Sequence, residues 1–130
     1  MVPTLEGGKP LEECLLSLTR QTFDRAEVIV VDNSGRGVAR SLAGRYAFRL
    51  IENRRNAGFG AAINQGFSIA RSPYLATLND DAVAHAGWLE ALVEAMESDA
   101  RAGMCASQVR LSGEFLLDSA GMLASADGST

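Results

Sequence analysis

Apolar positions change period several times along this chain, and each change predicts an element. Leu11, Cys14, Leu15 and Leu18 recur at i, i+3, i+4 and i+7. That spacing predicts an amphipathic helix, with Pro10 in its first turn. The β-branched run Glu27-Val28-Ile29-Val30-Val31-Asp32 is closed by the turn formers Asn33-Ser34-Gly35, so it reads as a strand buried on both faces. A short helix is expected near residues 38–43. Residues 48–52 give a third strand candidate, less apolar and therefore nearer a sheet edge. From Phe59 the spacing is helical again, with Ile63, Gly66, Phe67 and Ala70 on one face, until Ser72-Pro73 stops it. Tyr74-Leu75-Ala76-Thr77-Leu78 predicts a buried strand. Next comes a helix with Trp88, Leu89, Leu92, Val93 and Met96 on its inner side, then a strand from Gly103 to Val109. Short strands alternating with helices predict an α/β fold with a largely parallel sheet.

In such sheets ligands sit beyond the carboxyl ends of the strands. Asp32 ends one predicted strand, Asn56 comes after another, and Asn79-Asp80-Asp81 ends a third. The segment Asn56-Ala57-Gly58-Phe59-Gly60-Ala61-Ala62-Ile63-Asn64-Gln65-Gly66 reads as a glycine-rich turn opening a helix. Free backbone N–H groups and the helix dipole favour a phosphate there. Carboxylates at a strand end can hold a divalent cation, and a cation can bridge to a diphosphate. The convergence of three polar strand ends points to a nucleotide-diphosphate site.

Composition sharpens this picture only in places. At 130 residues, with 47% hydrophobic and 22% charged residues, the chain suits one globular domain with a sizeable core. A net charge of -4 argues against nucleic acid as a partner. Residues 1–65 carry nine Lys/Arg against seven Asp/Glu, whereas residues 66–130 carry three against nine. The acidic half around Asp80 and Asp81 suits a metal, although a solvated acidic helix face explains most of it. Cys14 and Cys105 lack metal-ligand spacing and are expected as buried free thiols, consistent with a reducing compartment. No apolar run reaches the ~18–20 residues of a membrane span, and no signal peptide is visible. The expectation is a cytoplasmic location, with work at the inner face of the membrane left open.

Four segments occur in an order that resembles family 2 glycosyltransferases: Val2-Pro3-Thr4, Val30-Val31-Asp32-Asn33-Ser34, the asparagine–glycine segment from Asn56 to Gly66, and Leu78-Asn79-Asp80-Asp81-Ala82. The rhamnosyltransferase-like branch, tied to cell-wall polysaccharide biosynthesis, is the most similar. The tail Leu117-Asp118-Ser119-Ala120-Gly121-Met122, with Asp127-Gly128 beyond, resembles the segment after the nucleotide-binding half in that branch. The resemblance implies the Rossmann-like GT-A fold, a mostly parallel sheet flanked by helices. It also implies a UDP- or dTDP-linked sugar donor, a glycan or lipid-linked acceptor, Mg2+ or Mn2+, and an inverting transfer. Residues 1–112 would be the nucleotide-sugar-binding domain and residues 113–130 the start of an acceptor-side segment.

The same resemblance assigns roles. Thr4 would lie in the loop after the first strand, beside the nucleoside. Asp32 would accept a hydrogen bond from the base, the alternative being a cap or turn residue. Asn56 would bond to nucleoside or phosphate, while Gly58 and Gly60 let the backbone come close. Asn64 is either part of that site or a polar residue on the exposed side of the helix. Asn79-Asp80-Asp81 matches the family's Asp-x-Asp element with its first position changed. Asn79 would face the ribose, Asp80 either joins the site or stays solvated, and Asp81 would be the metal ligand. His85 is expected in a loop, Trp88 in packing, and Arg54-Arg55 either near phosphate or in solvent.

The catalytic base is not assigned to this chain. In the family it lies well beyond the acidic motif, and Glu114 and Asp118 have no convincing match. Only Met1, Val2 and Pro3 precede Thr4, so the first strand is nearly absent and the chain looks truncated at both ends. Such a loss would leave unpaired backbone groups in the core. Three outcomes are open: closer pairing by the first residues, a homodimer by strand exchange, or marginal stability. Donor binding with little transfer by the chain alone is the expectation. A sugar nucleotidyltransferase and a non-catalytic nucleotide-binding or interaction module are the alternatives.

Overall fold

Ile29–Asp32 forms strand β2, and all four of its residues are buried, as a β-branched run at the centre of a parallel sheet should be. In the computed structural model, which describes residues 1–111 and 117–119, β2 pairs on one side with β1 (Val2–Thr4) and on the other with β3 (Arg49–Glu52). Both pairings are parallel, and Thr4, Asp32 and Glu52 stand abreast at the carboxyl ends of the three strands. β3 is a half-exposed edge strand, as its weaker apolar character predicts.

The alternation of β2 side chains divides the core in two. Val30, with Val2 from β1, packs against Leu11, Cys14 and Leu15 of helix α1 (Gly8–Leu18) and against Ala39 and Leu42. Leu42 closes a 3-10 turn, Arg40–Leu42, where a short helix is predicted. Ile29 and Val31 face the other way, onto Ala62 of helix α2 (Phe59–Ile69), with Met1, Ile51 and Ile69 around them. Burying each large aliphatic side chain contributes about 1.5–3 kcal/mol. The predicted helical stripes are found, with Leu18, Ile63, Phe67 and Ala70 half-buried rather than fully inside.

Gly66 is what lets α2 approach this closely: a Cβ there would lie 2.5 Å from Met1 Cγ. Residues Val2–Thr4 pair more fully than their number suggests, and Val2, Pro3 and Thr4 are all buried.

Two predicted strands differ in the structure. Tyr74-Leu75-Ala76-Thr77-Leu78 forms no strand, beginning instead in a bend at Tyr74, and Tyr74 and Leu75 are 43% and 47% exposed. It touches the sheet through Met1, whose ammonium donates to the Ala76 carbonyl at 2.8 Å and whose carbonyl accepts from Leu78 N at 3.0 Å. The chain then turns at Asn79, where Ala82 N donates to the Asn79 carbonyl, and a ladder cannot extend past that point. Residues 103–108 likewise form no strand, and no described residue pairs with their backbone as a ladder. Only Val109 of that stretch is in one, β4 (Val109–Arg110), antiparallel to β5 (Leu117–Ser119). Cys105 is consequently exposed, against the expectation of a buried thiol.

The chain divides into two compact units, Met1–Gly87 and Trp88–Thr130. The sheet, α1 and α2 belong to the first. The second opens with helix α3 (Trp88–Ser98), whose stripe Trp88, Leu89, Leu92, Val93 and Met96 is half-buried throughout. Glu114, Ala120-Gly121-Met122 and Asp127-Gly128 lie outside the described residues.

Candidate functional site at the carboxyl ends of the parallel strands

Because β1, β2 and β3 run parallel and in register, the loops leaving Thr4, Asp32 and Glu52 emerge at one edge of the sheet. Two sets of hydrogen bonds bring more distant residues to that edge.

The first set starts at Thr4. It is the last residue of β1, not a loop residue, and only 3% exposed, because its backbone is paired opposite Asp32. Its hydroxyl donates to Asp80 Oδ2 at 2.5 Å and accepts from Gly7 N at 3.0 Å. Thr4 thus holds the acidic turn against the end of β1. Asp80 is half-buried by this contact, whereas Asn79 and Asp81 on either side of it are exposed. The turn is also fixed from below, since the buried Cys14 thiol lies 3.5 Å from the Asn79 carbonyl. Burial, reinforced by the charge of Asp80, pushes that thiol up to about 11.

Asp32 and Asn33 make the second set. The Asp32 carboxylate is 1% exposed and accepts from Ser34 N, the Ser34 hydroxyl and Ala39 N at 3.0, 2.5 and 3.0 Å. Burial raises its pKa, but these donors and Val38 N outweigh that and hold the carboxyl below its ordinary value. Its geometry is that of a turn residue organising the loop after β2.

Asn33, 3% exposed, reaches across to the loop after β3. Its Nδ2 donates to Asn56 Oδ1 at 2.9 Å and to the Gly58 carbonyl at 3.2 Å. Its Oδ1 accepts from Asn53 Nδ2 at 2.9 Å and Ala57 N at 3.0 Å. Asn53 Nδ2 continues to Gln65 Oε1 on α2 at 2.7 Å. Sequence reasoning treats Asn33 as a turn former and overlooks Asn53 and Gln65; the clustering of Asn33, Asn53 and Asn56 beside two strand ends is the available signal.

Gly58 caps α2 at φ 90°, a conformation other residues rarely adopt. Nothing lies within 4 Å of a Cβ built on Gly58 or on Gly60, so the space above this turn is open. Asn56 and Gly60 are exposed, and Asn64 is on the solvent side of α2. Arg54 and Arg55 are exposed beside them. His85 is an exposed loop residue whose Nδ1 accepts from Gly87 N, and Trp88 donates its indole N–H to Ser107 Oγ at 2.7 Å.

At this edge Thr4 meets Asp80 and pairs opposite Asp32, and Asn33 joins Asn56 and Gly58, with Asn79 and Asp81 on the exposed acidic turn and Gly60 in the first turn of α2. Among the described residues no group of three or more His, Cys, Asp or Glu could by itself hold a metal. No described helix is long and apolar enough to cross a membrane.

Comparison with known proteins bears on the fold and the family. The chain superposes on the S. aureus TarS crystal structure with a TM-score of 0.61 at 20% identity, over 75% of this chain and 19% of that one. The TarS 1–349 structure gives 0.63 at 21% identity, over 75% and 31% of the two chains. These likenesses show the fold, a GT-A-type parallel sheet flanked by helices. In sequence the chain is 28% identical over 102 residues to glycosyltransferase GlyG of Streptococcus pneumoniae, covering 75% of this chain and 34% of that protein. It is 34% identical over 100 residues to the uncharacterized glycosyltransferase MJ1057 of Methanocaldococcus jannaschii, covering 72% and 34%. The chain spans about a third of the length of these relatives. Residues 1–123 match the family described as Glycosyl transferase family 2, and the chain belongs to that family.

Proposed function

We propose that this chain forms the donor-binding part of a glycosyltransferase that moves a sugar from a UDP- or dTDP-linked donor to a glycan or lipid-linked acceptor, with inversion. The observation that carries the reading is the hydrogen bond from Thr4 to Asp80, which sets the acidic turn beside the loops after β2 and β3. Opposed features of a diphosphate site then share one edge: exposed carboxylate on one side, and the open, glycine-bearing N-terminus of α2 on the other.

In this reading Asn56, Gly58 and Gly60 meet the nucleotide's phosphates, and Asn79 meets a ribose hydroxyl. Asp80, fixed by Thr4, sets the backbone from which Asp81 projects. The donor set fits a hard divalent ion such as Mg2+ or Mn2+: exposed carboxylate oxygen, with no all-protein cage among the described residues. Asp81 would hold the ion, which would supply Lewis-acid stabilisation of the leaving diphosphate. Asp32 serves the nucleoside by shaping the loop after β2 rather than by offering a free carboxylate. The base that activates the acceptor is assigned to no residue of this chain. The rhamnosyltransferase-like branch, acting in cell-wall polysaccharide assembly at the inner face of the membrane, is the setting we favour.

Calorimetric titration with UDP and dTDP, with and without Mn2+, tests the proposal. Binding that requires the metal supports it. A folded sample that binds neither nucleotide contradicts it.

A further inference from the structure

We propose that Asn33 is a positioning residue that fixes the polarity of the nucleotide contact at Asn56, so that Asn56 can meet only a hydrogen-bond acceptor. The inference rests on the donor-site reading above and deepens it.

The orientation of both amides is set by backbone groups whose chemistry is unambiguous. Ala57 N can only donate, so the Asn33 atom it meets at 3.0 Å is the oxygen. The Gly58 carbonyl can only accept, so the Asn33 atom it meets at 3.2 Å is the nitrogen. Asn56 is fixed the same way. Gly58 N donates to Asn56 at 2.8 Å, and Asn33 Nδ2 donates to the same atom at 2.9 Å, so that atom is Oδ1. Two donors converge on one oxygen, and a flipped Asn56 amide would set three nitrogens against one another. The Asn56 NH2 group therefore faces away from Asn33, and among the described residues it has no partner. Asn56 is itself exposed, at the mouth of the open space above Gly58 and Gly60.

The chemical consequence is selective. An outward NH2 group can donate to a phosphoryl oxygen or a base carbonyl, but it cannot accept from a hydroxyl or an N–H. Asn33 enforces this from a site 3% exposed, where Asn53 and Ala57 hold its other end. An aspartate at 33 would turn both of its contacts with Asn56 Oδ1 and the Gly58 carbonyl into acceptor against acceptor. That would release the Asn56 amide to rotate.

The test is a double-mutant cycle read by calorimetry, using UDP or dTDP, whichever the unmodified chain binds more tightly, with Mn2+. Asn33→Asp is expected to weaken binding at least about tenfold, equivalent to about 1.4 kcal/mol. In an Asn56→Ala background the same substitution is expected to change affinity less than about twofold, because the group it acts through is gone. Equal losses in both backgrounds would mean that Asn33 supports the fold generally, and would overturn the proposal. Asn56→Asp keeps Oδ1 for Gly58 N and Asn33 on an exposed turn, but offers an acceptor outward, and it decides the matter if Asn33→Asp does not fold. It is expected to lose at least about tenfold, and affinity within about twofold of the unmodified chain would overturn the proposal. If the unmodified chain binds and these variants bind equally well, this inference alone fails. If the folded unmodified chain binds neither nucleotide, the donor-site reading fails and this inference with it.

Discussion

Thr4 and Asp80, 76 positions apart in sequence, are joined by a hydrogen bond of 2.5 Å from hydroxyl to carboxylate. This contact converts a loop after an irregular segment into part of the sheet's functional edge. Nothing in the ladder itself would hold residues 79–81 there, since among the described residues the backbone of 74–78 bonds only to Met1. Removing the hydroxyl in Thr4→Val leaves Asp80 and Gly7 N without their partner. Stability is expected to fall by about 1–3 kcal/mol in urea unfolding. Metal-dependent nucleotide affinity is expected to fall as well, with Thr4→Ser retaining both.

Asp32 is predicted to be a pH-dependent element of stability. Its folded pKa lies below its unfolded value, because hydrogen bonds from Ser34, Ala39 and Val38 outweigh the cost of burial. The stabilisation is therefore complete above about pH 3.9, the ordinary carboxylate value, and is lost as pH falls through the lower folded value. Asp32→Asn puts an amide N–H among these donors, and is expected to cost about 2–3 kcal/mol at pH 7. Denaturation curves should show the gap between variant and parent shrinking below about pH 4.

Two glycines of α2 should respond in opposite ways. A Cβ at Gly66 would come within 2.5 Å of Met1 Cγ, and the Met1 backbone is tied to Ala76 and Leu78, so Gly66→Ala is expected to destabilise by about 1–3 kcal/mol. A Cβ added at Gly60 would meet nothing within 4 Å, and Gly60 has no positive φ, so Gly60→Ala should stabilise by about 0.5–1 kcal/mol through helix propensity. If the space above Gly60 receives the nucleotide, the same substitution weakens UDP or dTDP binding while raising the melting temperature. That pairing of effects is readable in one thermal and one calorimetric series.

The two thiols should separate cleanly in a labelling experiment. Cys14 is fully buried, and burial pushes its pKa up to about 11, whereas Cys105 is exposed. One thiol per chain is expected to react rapidly with an aromatic disulfide reagent at pH 8, at Cys105. The second should react only on unfolding, because both access and thiolate are withheld.

The legible part of the fold rests on period and burial. Glu27 to Asp32 reads as a strand buried on both faces because its core is a β-branched run, and the stripes of α1, α2 and α3 read from their 3.6-residue spacing. Residues 74–78 and 103–109 carry similar apolar content, yet strand formation depends on a partner ladder, which local composition does not encode. Tyr74, Leu75 and Cys105 are exposed for that reason. At the site, the strand-end position of Asp32 and the place of Asn56 in the loop after β3 are visible in the sequence, whereas Asn79-Asp80-Asp81 follows a segment that forms no strand. The bonds that organise these residues are not visible there. Thr4 to Asp80 and Asn33 to Asn53 and Asn56 join side chains 20 to 76 positions apart, without any period to betray them.

The central claim is that the acidic turn and the Asn56–Gly58 turn border one metal–nucleotide site. Paramagnetic broadening of backbone amide signals by Mn2+ in the presence of UDP or dTDP tests this most directly. The account predicts joint broadening at Asn79 to Ala82 and at Asn56 to Gly60, with both sets spared in Asp81→Ala. Broadening confined to other acidic surface positions, or unchanged in Asp81→Ala, would contradict it.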